Sequence, residues 1–536
     1  MRFAHYALLL GATALLTLPN LGAPSLWDVD EGVNAGCTRE MLESGSWVVP
    51  TFNAELRTAK PVMLYWIQRA SYNAFGITEW SARFPAVLLG LGTVLLVYEL
   101  GRRMFDAGTG LLAGIILASA IEFCKLSHAA TPDAPLIFFT TLALYLFWRL
   151  HENGGRHWFA PCAVAAGLAV LTKGPVGVAL PGAVILGTFL WNREAKRLLD
   201  WRLLAGALAF LLVAAPWYGL VIAETRGAYL AFFRNENANR FLNAMEGHRG
   251  PVVYYVGALV AFFAPWSVFL GGSLWYAVKE SSRPTRFLLV WFAAYLVFFS
   301  VAATKLPNYI APLYPAVALL TARFLVRWRE GAVAPAAWVM PTASVGVGIV
   351  GVVIAAALLV AGGIIPLDVK GLRVMPGLAP WAALGGIFVA ASVAMLAFLR
   401  ANNRPAFVRT VALAACLFVG LTAAFPVLVV DAYKAPRDLV RTSGADDTAR
   451  EMRLASLDYT QPSVTFYAGR PVERLKEAVA VDEFLRMPLP AMLFVPEPVW
   501  RAQLEGKLTA AHAIAARRFD FYRNCEVLVV RNGACE

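Results

Sequence analysis

The chain has 536 residues, of which 59% are hydrophobic and only 15% charged, and its mean hydropathy is +0.60. A soluble domain carries roughly 25% charged residues, so a water-soluble fold is excluded: too little polar surface is available to cover this much apolar side chain. The net charge of +12 does not call for nucleic acid, because Lys and Arg concentrate in short loops between apolar blocks, the pattern that marks the cytoplasmic side of a membrane protein.

Those blocks fall at 4–22, 84–101, 110–126, 134–150, 158–172, 174–191, 203–223, 253–276, 287–303, 308–326, 336–363, 379–399 and 407–430. A span takes about 20 apolar residues, so the pattern predicts about thirteen transmembrane helices. The first block has Arg2 before it and Ala23 and Ser25 after it, the outline of a secretory signal. It is read instead as an uncleaved helix, because the segment that follows carries the candidate chemistry. With the N-terminus inside, the stretches Gly101–Arg103, Arg149–Arg156, Arg193–Arg202, Lys279–Arg286, Arg323–Arg329 and Arg400–Arg409 also fall inside, and all are short and basic. The odd span count puts loops 24–83 and 224–252 and the tail 431–536 outside.

Within the first outer loop, Arg39–Leu42 and Met63–Phe75 have the amphipathic character of helices lying in the interface. The tail alternates strand-like runs (Ser463–Tyr467, Ala491–Val495, Val527–Val530) with helix-like ones (Val481–Met487, Val499–Leu504). The expected architecture is an all-α polytopic membrane domain over residues 1–430 and a small α/β domain over 431–536. Cys37, Cys124, Cys162 and Cys416 show no metal-ligand spacing. Cys525 and Cys535 are close enough in sequence to pair as a disulfide if that end is outside, or to remain two thiols.

The densest polar run is Trp27-Asp28-Val29-Asp30-Glu31, three carboxylates just beyond the first span. It precedes Thr58-Ala59-Lys60-Pro61-Val62, where Lys60 offers a point charge for a phosphate. Asp133 follows Pro132 at the outer end of the fourth span; it either opens that helix or serves a site. Lys173 lies in Thr172-Lys173-Gly174-Pro175 and Lys305 in Lys305-Leu306-Pro307-Asn308-Tyr309. A single lysine at a membrane boundary ordinarily snorkels to the interface. Three of them on the face that carries the acids read as an anionic head group beside an acidic catalyst. The second outer loop adds Glu236, His248 and Arg249; His248 could ligate a metal, but no second histidine stands at ligand spacing, so a metal there is not predicted.

Taken in order, Asp28-Val29-Asp30-Glu31, Met41 to Pro50 with Trp47, Asn53, Lys60-Pro61 and Tyr65-Trp66 resemble the first periplasmic loop of bacterial GT-C membrane glycosyltransferases. So do Thr172 to Pro175, His248 to Pro251 with Tyr254-Tyr255, and Lys305 to Tyr309 with Pro312 and Pro315. The nearest group is that of the lipid A aminoarabinose transferases, which share their fold with protein O-mannosyltransferases. The resemblance covers residues 1–330 well and the remainder more weakly. It implies a bacterial inner-membrane monomer with its active site and α/β tail in the periplasm. It also implies inverting transfer from an undecaprenyl-phosphate sugar to lipid A or lipopolysaccharide, with a protein, a polysaccharide or another lipid as alternative acceptors. Asp30 matches the family's catalytic aspartate and Asp133 a second acid in the cavity. Lys60 and Tyr309 match groups that hold the carrier phosphate, with Lys305 or Arg249 beside them. Asp28, Glu31, Lys173, Glu236 and His248 are weaker expectations for sugar or acceptor. His248 matches a histidine that binds a metal together with a glutamate just before the lysine. That position is Ala59 here, so no metal and no other cofactor is expected.

Two other classes stay in view. A flippase for lipid-linked sugars would place charges within its spans and show inverted repeats; only Glu99 and Glu122 come near the first criterion. A non-catalytic scaffold would tolerate any change at Asp30.

Overall fold

The computed structural model describes residues 2–152, 159–243, 247–367 and 373–535. Part of the Arg149–Arg156 loop and the Cys535 side chain, and with it the Cys525–Cys535 pairing, lie outside the described residues.

Helix α1 (Arg2–Thr17) leads into a loop and then α2 (Asp30–Glu43), the two-stranded hairpin β1 (Thr51–Phe52) and β2 (Glu55–Leu56), and α3 (Met63–Phe75). Next comes α4 (Glu79–Met104), whose start is set by a capping box: Thr78 Oγ1 accepts from Ser81 N at 3.1 Å and Ser81 Oγ accepts from Thr78 N at 3.0 Å. Among the described residues, eight helices have the length and composition to cross a bilayer. These are α4, Asp133–His151, Arg202–Glu224, Arg283–Val301, Pro307–Arg329, Val339–Ala361, Pro376–Arg400 and Arg404–Asp431. Three apolar helices are shorter: Phe3–Thr17, Phe159–Lys173 and Val176–Trp191.

Two predicted spans are not straight. The 110–126 block breaks into Ala107–Ala118 and Ile121–Ser127, bent by 71°, and the 253–276 block into Tyr254–Phe262 and Trp266–Glu280, bent by 117°. Pro265 marks the second break, since it has no N–H to continue the helix. Hydropathy averages over such breaks and cannot see them. Burial separates the spans as well. The best window of Pro307–Arg329 is 89% buried, that of Val339–Ala361 only 22%. The first is the centre of the bundle, packed on all sides by protein. The second leaves apolar side chains such as Val352 and Val353 open, as a lipid-facing helix does.

The C-terminal unit is a five-stranded sheet with helices beside it. Strands β3 (Arg453–Leu457), β4 (Val472–Leu475), β5 (Ala491–Pro496), β6 (His512–Asp520) and β7 (Cys525–Asn532) run in the order β4-β3-β5-β7-β6. The β3 pairings are parallel and those of β7 antiparallel. β5 is buried along its whole length, as a central strand should be. The Ala491–Val495 and Val527–Val530 expectations fall on β5 and β7. The Ser463–Tyr467 expectation is corrected: residues Pro462–Ala468 are helical. Val464, Thr465 and Phe466 look like a strand, but Pro462 at the start and Gly469 in the left-handed conformation (φ 64°) at the end bracket a helix.

This unit rests on the 24–83 loop. Arg437 donates to Ala23 O at 2.8 Å, Lys434 Nζ to Ser25 O at 2.6 Å, and Asp431 accepts from Ser25 N at 2.8 Å. Leu26 N donates to Tyr467 OH at 2.8 Å and Asp28 N to Tyr522 OH at 3.0 Å. Further along, Asn53 and Val472 exchange two hydrogen bonds, of 2.7 and 3.0 Å.

Candidate active site

A cavity of about 760 Å³ opens at the end of the bundle that carries the 24–83 loop. Leu136, Val176, Leu230, Phe298 and Phe299 give it apolar walls, while Lys60, Lys173, Glu236, Arg240 and Tyr309 bring polar groups to one part of it. That mixture suits an amphiphile with a charged head.

Asp133 and Lys173 sit on adjacent helix ends. The bent pair forms α5 (Ala107–Ala118) and α6 (Ile121–Ser127), and Asp133 is the first residue of the next helix, α7 (Asp133–His151); Lys173 closes α8 (Phe159–Lys173), where Gly174 (φ 82°) and Pro175 turn the chain back. Lys173 Nζ donates to Asp133 Oδ1 at 2.6 Å. Asn308 Nδ2 reaches both oxygens of the same carboxylate, at 3.2 and 3.3 Å. The Lys173 ammonium also lies 5.0 Å from the centre of the Tyr309 ring, within cation–π range. Asp133, Lys173, Asn308 and Tyr309 therefore form one connected group drawn from three separate parts of the chain.

Lys60 enters from the first loop. Its backbone carbonyl accepts from Tyr229 OH at 2.9 Å, which fixes the chain there. Among the described residues its ammonium donates no hydrogen bond and forms no ion pair. Burial lowers its pKa to about 8, helped by the positive charges of Lys173, Arg240 and Arg57 and opposed by Asp133. Several cations thus converge with too few anions to balance them, an arrangement that a bound anion would relieve. Glu236 neutralises Arg240 in part, accepting from its Nε at 2.8 Å.

Asp30 is exposed at the first position of α2. Among the described residues its carboxylate has no hydrogen-bond or ion-pair partner, yet it is close enough to act electrostatically on Arg57 and Lys173. It stands near the cationic group, outside the cavity lining and unpaired with any of its members.

The other expected residues go elsewhere. Glu31 is buried and forms a two-pronged pair with Arg83, at 2.9 and 2.6 Å, while accepting from Ala130 N at 2.7 Å and Trp27 N at 2.8 Å. Burial pushes its pKa up, but the Arg83 charge and these bonds outweigh that and hold it below the ordinary carboxylate value. With its lone pairs occupied it packs the loop instead of meeting a sugar. Asp28 turns to the C-terminal unit and accepts from Ser463 N at 2.8 Å and from Ser463 Oγ. Lys305 is buried, and its ammonium caps the end of helix Arg283–Val301 by donating to Phe299 O at 2.8 Å and Ser300 O at 2.6 Å; it does not line the cavity. His248 and Arg249 are exposed and also lie off the cavity lining. Among the described residues no three His, Cys, Asp or Glu side chains gather as a metal site. The two acids nearest to lying within spans are paired locally, Glu99 with Arg102 at 2.7 Å and Glu122 with Lys125 at 2.8 Å.

Three contributors were not anticipated. Asn308 stands inside a run already singled out by its neighbours. Arg240 follows Glu236 by four residues, the spacing of a helical ion pair. Arg57, hydrogen-bonded to Tyr65 OH at 2.9 Å, has no signal beyond its nearness to Lys60.

Fold and site together define a polytopic membrane protein with a cationic cavity at the end of the bundle that carries the 24–83 loop. A family profile described as dolichyl-phosphate-mannose-protein mannosyltransferase matches residues 59–219. A protein of Aquifex aeolicus without a functional name is 35% identical over 305 residues, 56% of this chain and 69% of that protein. The undecaprenyl phosphate-alpha-4-amino-4-deoxy-L-arabinose arabinosyl transferase of Enterobacter sp. (strain 638) is 34% identical over 341 residues, 60% of each chain. The crystal structure of ArnT from Cupriavidus metallidurans bound to undecaprenyl phosphate superposes with a TM-score of 0.80 at 26% identity, covering 99% of this chain and 98% of that one. The chain is therefore similar to these arabinosyl transferases, in sequence over part of its length and in fold over nearly all of it. In sequence, the match spans about 60% of the length of the named relative.

Proposed function

We propose that this protein is an inverting glycosyltransferase of the bacterial inner membrane that moves an aminoarabinose-type sugar from undecaprenyl phosphate to lipid A on the periplasmic side. The observation that carries the reading is the half-buried Lys60 ammonium, without a partner among the described residues and close to Lys173, Arg240 and Arg57 at the polar part of the cavity. A carrier phosphate supplies the anion this group lacks, and the apolar walls accept the first part of its chain. The named transferase relatives and the undecaprenyl phosphate bound to the Cupriavidus protein support the choice of carrier.

In the transfer, Lys60 and Tyr309 stabilise the charge that grows on the departing phosphate. Asp30 accepts the proton of the acceptor hydroxyl as its oxygen attacks the anomeric carbon. Direct displacement inverts that carbon. Asp133, held in register by Lys173 and Asn308, meets the sugar or orients Lys173. The reading places the membrane domain in residues 1–430, with the eight long helices, two bent pairs and three short apolar helices as its thirteen spans, and the α/β unit of 431–536 in the periplasm. The working unit is taken as a monomer without a metal.

The test is mass spectrometry of lipid A and undecaprenyl-phosphate sugars in the host with and without the gene. Loss of a sugar-modified lipid A with accumulation of the carrier-linked sugar is the expected result. Accumulation with unchanged lipid A moves the acceptor to a glycan or a protein, and no change in either rejects the reading.

A further inference from the structure

Asp30 has no side-chain partner of its own among the described residues, so its place depends on the backbone of residues 27–31. One side of that segment is fastened to the helix bundle through Glu31 and Arg83. The other is fastened to the C-terminal unit. An aspartate just ahead of a helix ordinarily caps that helix, yet α2 has no side-chain cap. The Asp28 carboxylate instead caps a helix of the other unit: it accepts from the backbone N–H and the hydroxyl of Ser463, in the first turn of Pro462–Ala468, a helix that likewise lacks a side-chain cap of its own. Tyr522 completes the grip by accepting from the Asp28 N–H at 3.0 Å. The fit is close. A Cβ on Gly32 would lie 2.5 Å from Asp28 Oδ1 and 2.7 Å from Ser463 N.

We infer that the C-terminal α/β unit is a positioning element for the transfer reaction: Ser463 and Tyr522, through Asp28, set where the Asp30 carboxylate stands. The inference rests on the transfer reading given above. It assigns Ser463 and Tyr522 an effect on the chemical step and none on holding the carrier, because the cavity that takes the phosphate is built from other parts of the chain.

The test uses the full-length protein in lipid nanodiscs with an undecaprenyl-phosphate aminoarabinose donor and lipid A. Ser463→Ala and Tyr522→Phe, singly and together, are compared with the wild type for kcat, donor KM, undecaprenyl phosphate binding and thermal unfolding. Misplacing a reacting group by about 1 Å costs up to about 100-fold in rate. The double variant is expected to lose about 10- to 100-fold in kcat, with donor KM and carrier binding changed by less than about twofold. In an Asp30→Asn background the same substitutions are expected to cost nothing further, since the group they position is gone. A double variant that keeps full kcat overturns the inference, as does a loss that tracks only the folded fraction or appears in KM alone. Should the double variant not fold, Tyr522→Phe alone, which removes a single hydroxyl, decides by the same criteria. A wild-type protein that transfers nothing from this donor overturns the transfer reading itself, a result distinct from an active wild type with unaffected variants.

Discussion

Two neighbouring parts of the outer end of this molecule handle charge in opposite ways. Between the first loop and the C-terminal unit, charges and polar groups are matched: Glu31 with Arg83, Asp431 with Lys434 and Arg437, Asp28 with Ser463. In the cavity the matching is incomplete: Lys173 pairs with Asp133 and Arg240 with Glu236, but the half-buried Lys60 ammonium beside them has no partner among the described residues. Burying a charge is costly unless it is paired, so matched groups hold a structure together and unmatched ones await something from outside. Asp28, Asp30 and Glu31 straddle this divide within four residues of chain. Two of them are spent on packing, and the Asp30 carboxylate between them has no partner among the described residues.

The divide can be broken from either side. Asp30→Asn should have the largest effect on turnover: general-base assistance contributes about 10²–10⁴-fold, so transfer should fall by about that factor while thermal unfolding is unchanged. Arg83→Met acts on the matched side. It leaves Glu31 buried without its counter-charge, and breaking a buried pair costs about 3–5 kcal/mol, seen as a lower unfolding temperature and less inserted protein. Lys60→Met should lower kcat by about 10²–10³-fold, the range for removing one group that stabilises charge in a transition state. A pH series sharpens that point. With Lys60 titrating near 8, carrier-phosphate binding should weaken as pH rises through that value, and Lys60→Met should remove that dependence.

A smaller effect belongs to the interface. Burial raises the Asp28 pKa from 3.8 to about 7, Ser463 and Lys434 opposing it and Asp520 adding to it; burial likewise raises Asp520 to about 6. A carboxyl whose folded pKa lies above its unfolded value stabilises most when protonated, so this contribution is complete below about pH 4 and is lost as pH rises through about 7. Hydrogen exchange at Pro462–Ala468 should therefore speed up above neutrality, and Asp28→Asn should flatten the response. The smallest effect is expected for Arg249→Gln, which lies off the cavity lining: donor KM should not move.

Much of this was readable in the chain. Hydropathy located the apolar blocks because a bilayer demands long runs that satisfy their own backbone hydrogen bonds, and those demands are local. As candidates, Asp30, Lys60, Lys173 and Tyr309 stood out because charged and aromatic groups at helix ends on one face are unusual together, and the structure brings Lys60, Lys173 and Tyr309 to one cavity. The bends at residues 119–120 and 263–265 were not readable, since an average over a window cannot register a change of direction. Nor was the helix at Pro462–Ala468, where Pro and Gly outweighed strand-like side chains.

The sequence alone therefore determined the membrane class, the approximate spans and the set of polar residues from which a site is built, for these follow from composition and local periodicity. Only the tertiary structure decided which of those residues were still available. Lys305 and Lys60 are both lysines at a membrane boundary. One donates to the carbonyls ending its neighbouring helix, while the ammonium of the other has no hydrogen-bond or ion-pair partner among the described residues and stands near Lys173, Arg240 and Arg57. A partner contributed from elsewhere in the chain determines whether a charge is structural or reactive, and no property of the residue itself records that partner.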